Sequence, residues 1–555
     1  HAIASNGYYN SDYRAGYITS RGINDQVEYA DQTAVVPQTG GGWDYTNIRR
    51  INIMLSNIEG SQMTNNEKDH WKAVGLFFHS FNYIELIMRF GDVPWIDFVY
   101  KEEDALKEIE RIPREQAADN VLANLKWAED NMNKTMSLDY DGKNTINKNV
   151  VMALINRFAL QEGTWRKYHK SGGDYIPYLK EVVRTGDILF KLYPNIAADY
   201  DKKFNSEDLS TYQGMILYKE YSQASMKHQI GGLERSSSSP YETHKAMVEM
   251  FLSQNGLPIK NASNTTYDGD KTMYDEFRNR DFRLLLNVTP PFKVTGAGSM
   301  NKWGFTKDPK DREYIDYMRA NCRPFGKQLP LMNAAAPSYG SVVGNVPHFL
   351  GQDGQPFCVS RSGYYMWKHY NLEDNNPAAN NSFDMPIFAI EEILLNYAEA
   401  KFELGEFSQD VADKTINKLR PRAKVAPMDV SLINNSFDPE RDQTVDPVLW
   451  EIRRERITEL FGEGFGFYDI RRWKRADWFI NRKQIGVYVH RTDLGGLKDA
   501  VKIDGGGKEG YVYLYSDPVK EMGKGWKDTY YLYPIPRQEL TLNKKLIQNP
   551  GWDLE

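Results

Sequence analysis

Residues 67–90 constrain this chain more than any other stretch. Phe77, Phe78, Phe81, Ile84, Leu86 and Ile87 cover most of the circumference of a helix there, and Glu85 and Arg89 form an i,i+4 ion pair on what remains. A helix apolar almost all round has to be enclosed by other elements. It cannot be a membrane span, because no apolar run in the chain approaches the roughly 18 residues that a span needs. Gly91 and Pro94 end it in a turn. The fold must therefore supply neighbours, and the sequence offers them. Residues 45–60 put Ile48, Ile51, Asn52 and Leu55 on one face, with Gly60 as C-cap. Residues 115–133 and 147–163 form a further pair, the second apolar at Val151, Leu154, Ile155, Phe158 and Ala159. Helices are also predicted at 175–191 and 241–254, around a loop at Ser236–Ser239.

From 256 to 385 the periodicity fades into Gly, Pro, Asn and Asp with short alternating runs such as Phe282–Val288, which predicts a loop-rich lobe with some strand. Helical order returns at 387–404, with Ile390, Ile393, Leu394, Tyr397, Ala398 and Leu404 on one stripe, and continues through 409–420 and 446–463. The tail, 476–555, is irregular, with Gly505–Gly507 and Pro534–Pro536. Recurring helix pairs point to a mainly α, tetratricopeptide-like solenoid, although their spacing is too uneven for periodicity alone to establish it. Stacked pairs would leave a concave face, with the lobe inserted between the third and fourth pairs.

At 555 residues the chain is long enough for three or four units of about 150 residues or for one large irregular one. Lys and Arg number 69 against 75 Asp and Glu, a net charge of −6 that excludes a general nucleic-acid binder. A composition of 41% hydrophobic and 26% charged residues can bury a sizeable core. Aromatic residues make up 13% of the chain; most must be packing, but Tyr and Trp also suit wet concave surfaces. Two cysteines, Cys322 and Cys358, allow one bridge and exclude a disulfide scaffold or a multi-cysteine metal site. The chain opens at His1 with no signal peptide, as expected of a trimmed or mature form.

Few motifs of catalysis survive inspection. None of the nine histidines has ligand spacing, and His79, on an apolar helix, reads as a core residue. No P-loop and no G-x-S-x-G occur, and Gly296 and Gly298 begin a dinucleotide fingerprint that fails at Asn301. Asp139 and Asp141–Gly142 resemble the start of a calcium loop whose other ligands are missing, so calcium is allowed but not required. A glycosidase needs only two carboxylates about 5–10 Å apart, which a sequence does not reveal. The run Glu451–Glu459, with Glu463 and Asp469, could be an acid/base site or a buried ion-pair network tying its helix to Arg471 and Arg472; the alternating signs favour the network.

Seven local patterns then occur in one order. They are Tyr45–Asn52; Phe78-His-Ser-Phe-Asn-Tyr83 with Phe90–Pro94; Asn279-Arg-Asp-Phe-Arg283 with Gly363-Tyr-Tyr365; Glu392–Ala400; Ile416–Arg420 with Arg422-Ala423; Glu455-Arg456 through Asp469-Ile-Arg-Arg-Trp473; and Tyr533–Pro536 with Gln548–Gly551. Together they resemble the SusD/RagB family of outer-membrane nutrient-uptake lipoproteins, over residues 45 to 551. Ala389 departs from the Arg that the family often carries, and the family's anchoring N-terminal Cys is missing. The resemblance implies one SusD-like domain over 1–555: a helical scaffold at 45–191, 241–254 and 387–475, a ligand lobe at 256–385 and an irregular segment at 476–555. It implies no catalysis and no cofactor. It implies capture of an oligosaccharide, or in some branches a peptide, at the cell surface and delivery to a TonB-dependent, SusC-like transporter, with a lipid anchor in the outer membrane. A helical-barrel glycoside hydrolase stands as the enzyme alternative.

Ligand residues vary within such a family and have to be argued physically. A neutral glycan offers apolar C–H faces and hydroxyls, so its site needs aromatic platforms flanked by polar side chains on supported loops. Family members similar to this chain place platforms in the loop before the first helix and in the lobe. In the first, Gly40–Gly42 precede Trp43 and Asp44, with Trp43 either a platform or a hydrophobic staple on the helix. In the lobe, Trp303 beside Asn301 sits in a Gly/Asn-rich loop that predicts an exposed indole, with Tyr339 and Arg312 as further candidates. Trp165, Trp367, Trp473, Trp478 and Trp552 are expected to pack.

Overall fold

The computed structural model describes residues 8–552 except 21–28, 101–108, 133–143, 236–240, 296–302, 324–325, 331–343, 347, 350–358, 371–379, 516–520 and 522. The scaffold begins with helices α1 (Thr46–Ile58), α2 (Asn65–Phe90), α3 (Arg114–Asn131), α4 (Lys148–His169) and α5 (Ile176–Leu192). It resumes with α6 (Ile390–Glu403), α7 (Pro447–Glu459) and α8 (Gly466–Arg472). The fold is mainly helical. Among the described residues the strands form only two-stranded sheets and close no barrel. None of these helices is long and apolar enough to cross a membrane.

Local chemistry sets the helix ends. A capping box starts α2: Glu67 N–H donates to Thr64 Oγ1 at 3.4 Å and Thr64 N–H donates to Glu67 Oε2 at 2.8 Å. Gly91 ends it at φ 74°, where a Cβ would lie 3.1 Å from Leu532. Helix α2 is enclosed by α1 on one side and α3 on the other, which buries Phe77, Tyr83, Ile84, Leu86, Ile87 and Phe90. Enclosure is incomplete, since Trp71 and Phe78 remain 42% and 41% exposed.

Helix α6, which follows the lobe in sequence, docks onto α5 and α7, so residues 193–389 are inserted into the stack. Helices α1 to α6 line one apolar core, while lobe, N-terminal and C-terminal segments pack with α7 and α8 around a second that contains Trp303, Trp367, Trp450 and Trp473. Two local expectations fail. The helix expected over 241–254 is a strand, Tyr241–Thr243, followed by one turn, Lys245–Val248. The strand Tyr241–Thr243 pairs antiparallel with Ile18–Ser20, a tertiary contact that overrides local helical pattern. Phe282–Asn287, which alternates like a strand, is a wholly buried helix whose first turn is capped by the Asp281 carboxylate, which accepts from Arg283 N–H at 2.9 Å.

The charged run on α7 is a buried network that joins lobe to scaffold. Glu459 accepts from Arg283 of the lobe at 2.6 Å and from Arg422. Glu455 forms an ion pair with Arg283 at 2.8 Å and accepts from Arg420 at 3.1 Å. Asp469 pairs with Arg456 at 2.7 Å and Arg472 at 2.8 Å, and Arg472 reaches Glu399 at 2.7 Å. Arg471 does not join this set; it donates to the carbonyls of Met88 and Tyr531. Burial pushes the Glu459 carboxyl up, but Arg422, Arg283 and Lys203 overcome it and hold it at about 2. Burial likewise opposes ionisation of Glu399, which Arg472, Arg453 and Arg456 hold at about 2.

Removing one partner of such a network strands the others in a dry interior. Glu459→Gln is expected to cost about 3–5 kcal/mol in urea unfolding. Both carboxyls have folded values below the ordinary 4.5, so their stabilisation is complete above that pH and is lost as the pH falls towards about 2. Thermal midpoints measured downward from pH 5 should fall across that window, and less steeply in Glu459→Gln.

Candidate functional site

The loop before α1 carries Trp43 onto the scaffold. Gly40, Gly41 and Gly42 all have positive φ (75°, 59° and 89°), and a Cβ on Gly42 would lie 2.1 Å from Arg89 Nη1. This tight turn sets the half-buried Trp43 ring edge-on to Phe90 at 4.8 Å and to Tyr45 at 5.7 Å. Asp44 is exposed, and its carboxylate accepts from Thr46 N–H at 2.8 Å, which with the Thr46 hydroxyl lowers its pKa.

Trp303 corrects the sequence expectation: its indole is 7% exposed and belongs to the core under the lobe. The next residue explains why. Thr295 N–H donates to the carbonyl of Gly304 at 2.8 Å, which fastens this loop to the strand Phe292–Val294. Arg312 is half-buried, stacks over Phe305 at 4.2 Å and pairs with Asp316 at 2.9 Å. Asn301 and Tyr339 lie outside the described residues, as do Cys358 and the acidic turn Asp139–Gly142. Burial pushes the Cys322 thiol up to about 12. Among the described residues no cluster of His, Cys, Asp or Glu could hold a metal ion. Trp43, Asp44, Trp303 and Arg312 line neither of the two larger clefts described for this chain.

A cleft of about 850 Å³ forms elsewhere, between α1, α2, α4, the turn after α7 and the antiparallel strands Met215–Lys219 and Met385–Ala389. Helix α2 contributes Phe78 and Phe81, and the turn contributes Phe465. Polar groups stand between these rings. Asn82 Nδ2 donates to the Phe78 carbonyl at 2.7 Å, while its Oδ1 faces Asn47 Nδ2 at 3.4 Å. Arg157 lies over the Phe388 ring at 4.1 Å and donates to both oxygens of Glu392 at 2.7 and 2.6 Å. Tyr468 donates to Glu85 Oε2 at 3.1 Å. Thr145 Oγ1 and Gln161 Oε1 line the same cleft and are buried without a hydrogen-bond partner among the described residues. Such groups demand a partner, and a bound hydroxyl would supply one.

The sequence did contain a trace of this cleft. Trp71, Phe78, Asn82, Glu85 and Arg89 follow one another at helical spacing, so aromatic and polar side chains share one stripe of α2. A stripe of that mixed character is ill suited to a packed core.

A sequence model described as the SusD family matches residues 196–552. The chain belongs to the SusD family. Residues 5–160 also match a model described as starch-binding, associating with outer membrane. A curated SusD-like protein P2 from Formosa agariphila is 27% identical over 511 residues, which cover 92% of this chain and 79% of that protein. Among solved structures, a SusD-like protein from Bacteroides fragilis superposes with a TM-score of 0.68 at 18% identity, covering 99% of this chain and 94% of the other. A SusD-like carbohydrate-binding protein from the same species gives 0.61 at 18% identity, covering 97% of this chain and 98% of that one. At these identities the structures speak for a SusD fold alone.

The burial of Trp303 carries an expectation of its own. Trp303→Ala should lower the stability of this SusD-family protein by about 3–5 kcal/mol in urea unfolding. A change under about 1 kcal/mol would mean that the indole is not packed as described.

Proposed function

We propose that this SusD-family chain is a non-catalytic oligosaccharide-binding protein at the cell surface, and that the cleft beside α2 is its glycan site. The observation that carries this reading is the juxtaposition of the exposed Phe78 ring and the half-buried Phe81 and Phe465 rings with the unpartnered polar atoms of Thr145 and Gln161. A pyranose presents an apolar C–H face to the first kind of group and hydroxyls to the second. The three carboxylates of the cleft support a binding role over hydrolysis. Glu392 is engaged by Arg157, Glu463 by Lys203 at 3.0 Å, and Glu85 by Arg89 at 3.3 Å as well as by Tyr468. Each carboxylate is thus held by a cation rather than left as an isolated acid or base.

The relative from B. fragilis is named as carbohydrate binding, and the model matching residues 5–160 names an association with the outer membrane. Both fit a protein that holds glycan at that membrane through a lipid anchor and passes it to a TonB-dependent, SusC-like transporter.

Isothermal titration against a panel of oligosaccharides tests the reading. At least one is expected to bind. Phe78→Ala should then weaken it by about tenfold with an unchanged thermal midpoint, because the ring is an exposed platform. Binding of peptides in place of every glycan would overturn the proposal, as would release of new reducing ends from the panel.

A further inference from the structure

The cleft runs against the charge of the molecule. The chain carries a net −6, yet among the described residues the cleft is lined by four cations, Arg50, Arg157, Lys203 and Lys219, against three carboxylates. Its carboxylates are all engaged, as described above, and two of the cations, Arg157 and Lys203, are consumed in engaging them. Arg50 on α1 and Lys219 on the strand Met215–Lys219 remain. Neither has a carboxylate within ion-pair distance among the described residues. Asp44 feels Arg50 only as the weakest influence on its carboxyl and spends its hydrogen bonds on Thr46. Arg50 is exposed and Lys219 half-buried, so both stay hydrated without a ligand and could exchange water for an anion.

We infer that the cleft selects an anionic oligosaccharide, one bearing uronate carboxylates or sulfate esters, with Arg50 and Lys219 as its charge-reading residues. This rests on the cleft being the glycan site and specifies what that site takes. The rings grip sugar faces of any glycan, whereas a fixed anion also gains charge-assisted hydrogen bonds that a neutral residue cannot make. Arg offers a planar fork suited to carboxylate or sulfate, and Lys a point charge.

The test uses matched pairs of ligands: oligogalacturonate with its carboxyl-reduced form, and carrageenan oligosaccharides with their desulfated form. Titration should find an acidic member bound about tenfold more tightly than its neutral counterpart. The acidic arm that responds distinguishes carboxylate from sulfate. Raising NaCl from about 0.05 M to about 1 M should erase most of that difference, since the screening length falls to about 3 Å. Arg50→Gln and Lys219→Gln, each verified to unfold at the wild-type temperature, should bring the acidic-to-neutral affinity ratio down about tenfold, to near one. Acidic binding that survives both substitutions overturns the inference. So does a preference for neutral members that Phe78→Ala abolishes and the charge substitutions do not touch; the glycan-binding reading then stands. Silence from every acidic and neutral member overturns both.

Discussion

Everything in this molecule depends on a charged interior. Arg283 leaves the lobe to meet Glu455 and Glu459 on α7, and Arg456 and Arg472 bring Asp469 and Glu399 into the same region. Buried ion pairs seldom add much net stability, because desolvation offsets attraction. Their geometric demand is strict, however. Each guanidinium has to meet its carboxylates within hydrogen-bond distance or leave an uncompensated charge in the core. An apolar contact between lobe and scaffold would tolerate sliding; this network does not.

That rigidity suits a frame whose binding surface is assembled from many places. The cleft draws Asn47 and Arg50 from α1, Phe78 and Asn82 from α2, Arg157 from α4, Lys219 and Pro386 from paired strands and Phe465 from the turn after α7. No segment carries the site alone. Its precision comes from the docking of α6 and α7, whose inward faces hold almost no solvent-accessible surface.

The same dispersal decides what the sequence discloses. Helices α1, α2 and α4 are visible because apolar spacing and caps are local, and the α7 run is readable as ion pairing because its charges alternate within one helix. Trp303 misleads because a Gly/Asn-rich loop predicts exposure, whereas the hydrogen bond from Thr295 that folds the loop inward comes from a separate stretch. Residues 241–254 mislead because their first strand is fixed by Ile18–Ser20, more than two hundred positions away. The cleft itself escapes notice because Phe78 looks like one more apolar residue on an apolar helix. The polar residues on its stripe hint otherwise, and packing shows the ring to be 41% exposed.

The return of α6 onto α5 has a consequence for biogenesis. Synthesis proceeds from the N-terminus, so the face of α5 that α6 will cover stays bare until residues 193–389 and α6 itself have been made. Pairings so distant in sequence are slow to close, because the intervening chain must first be brought to order. A nascent protein of this design carries a sticky, half-finished helix stack through much of its own translation.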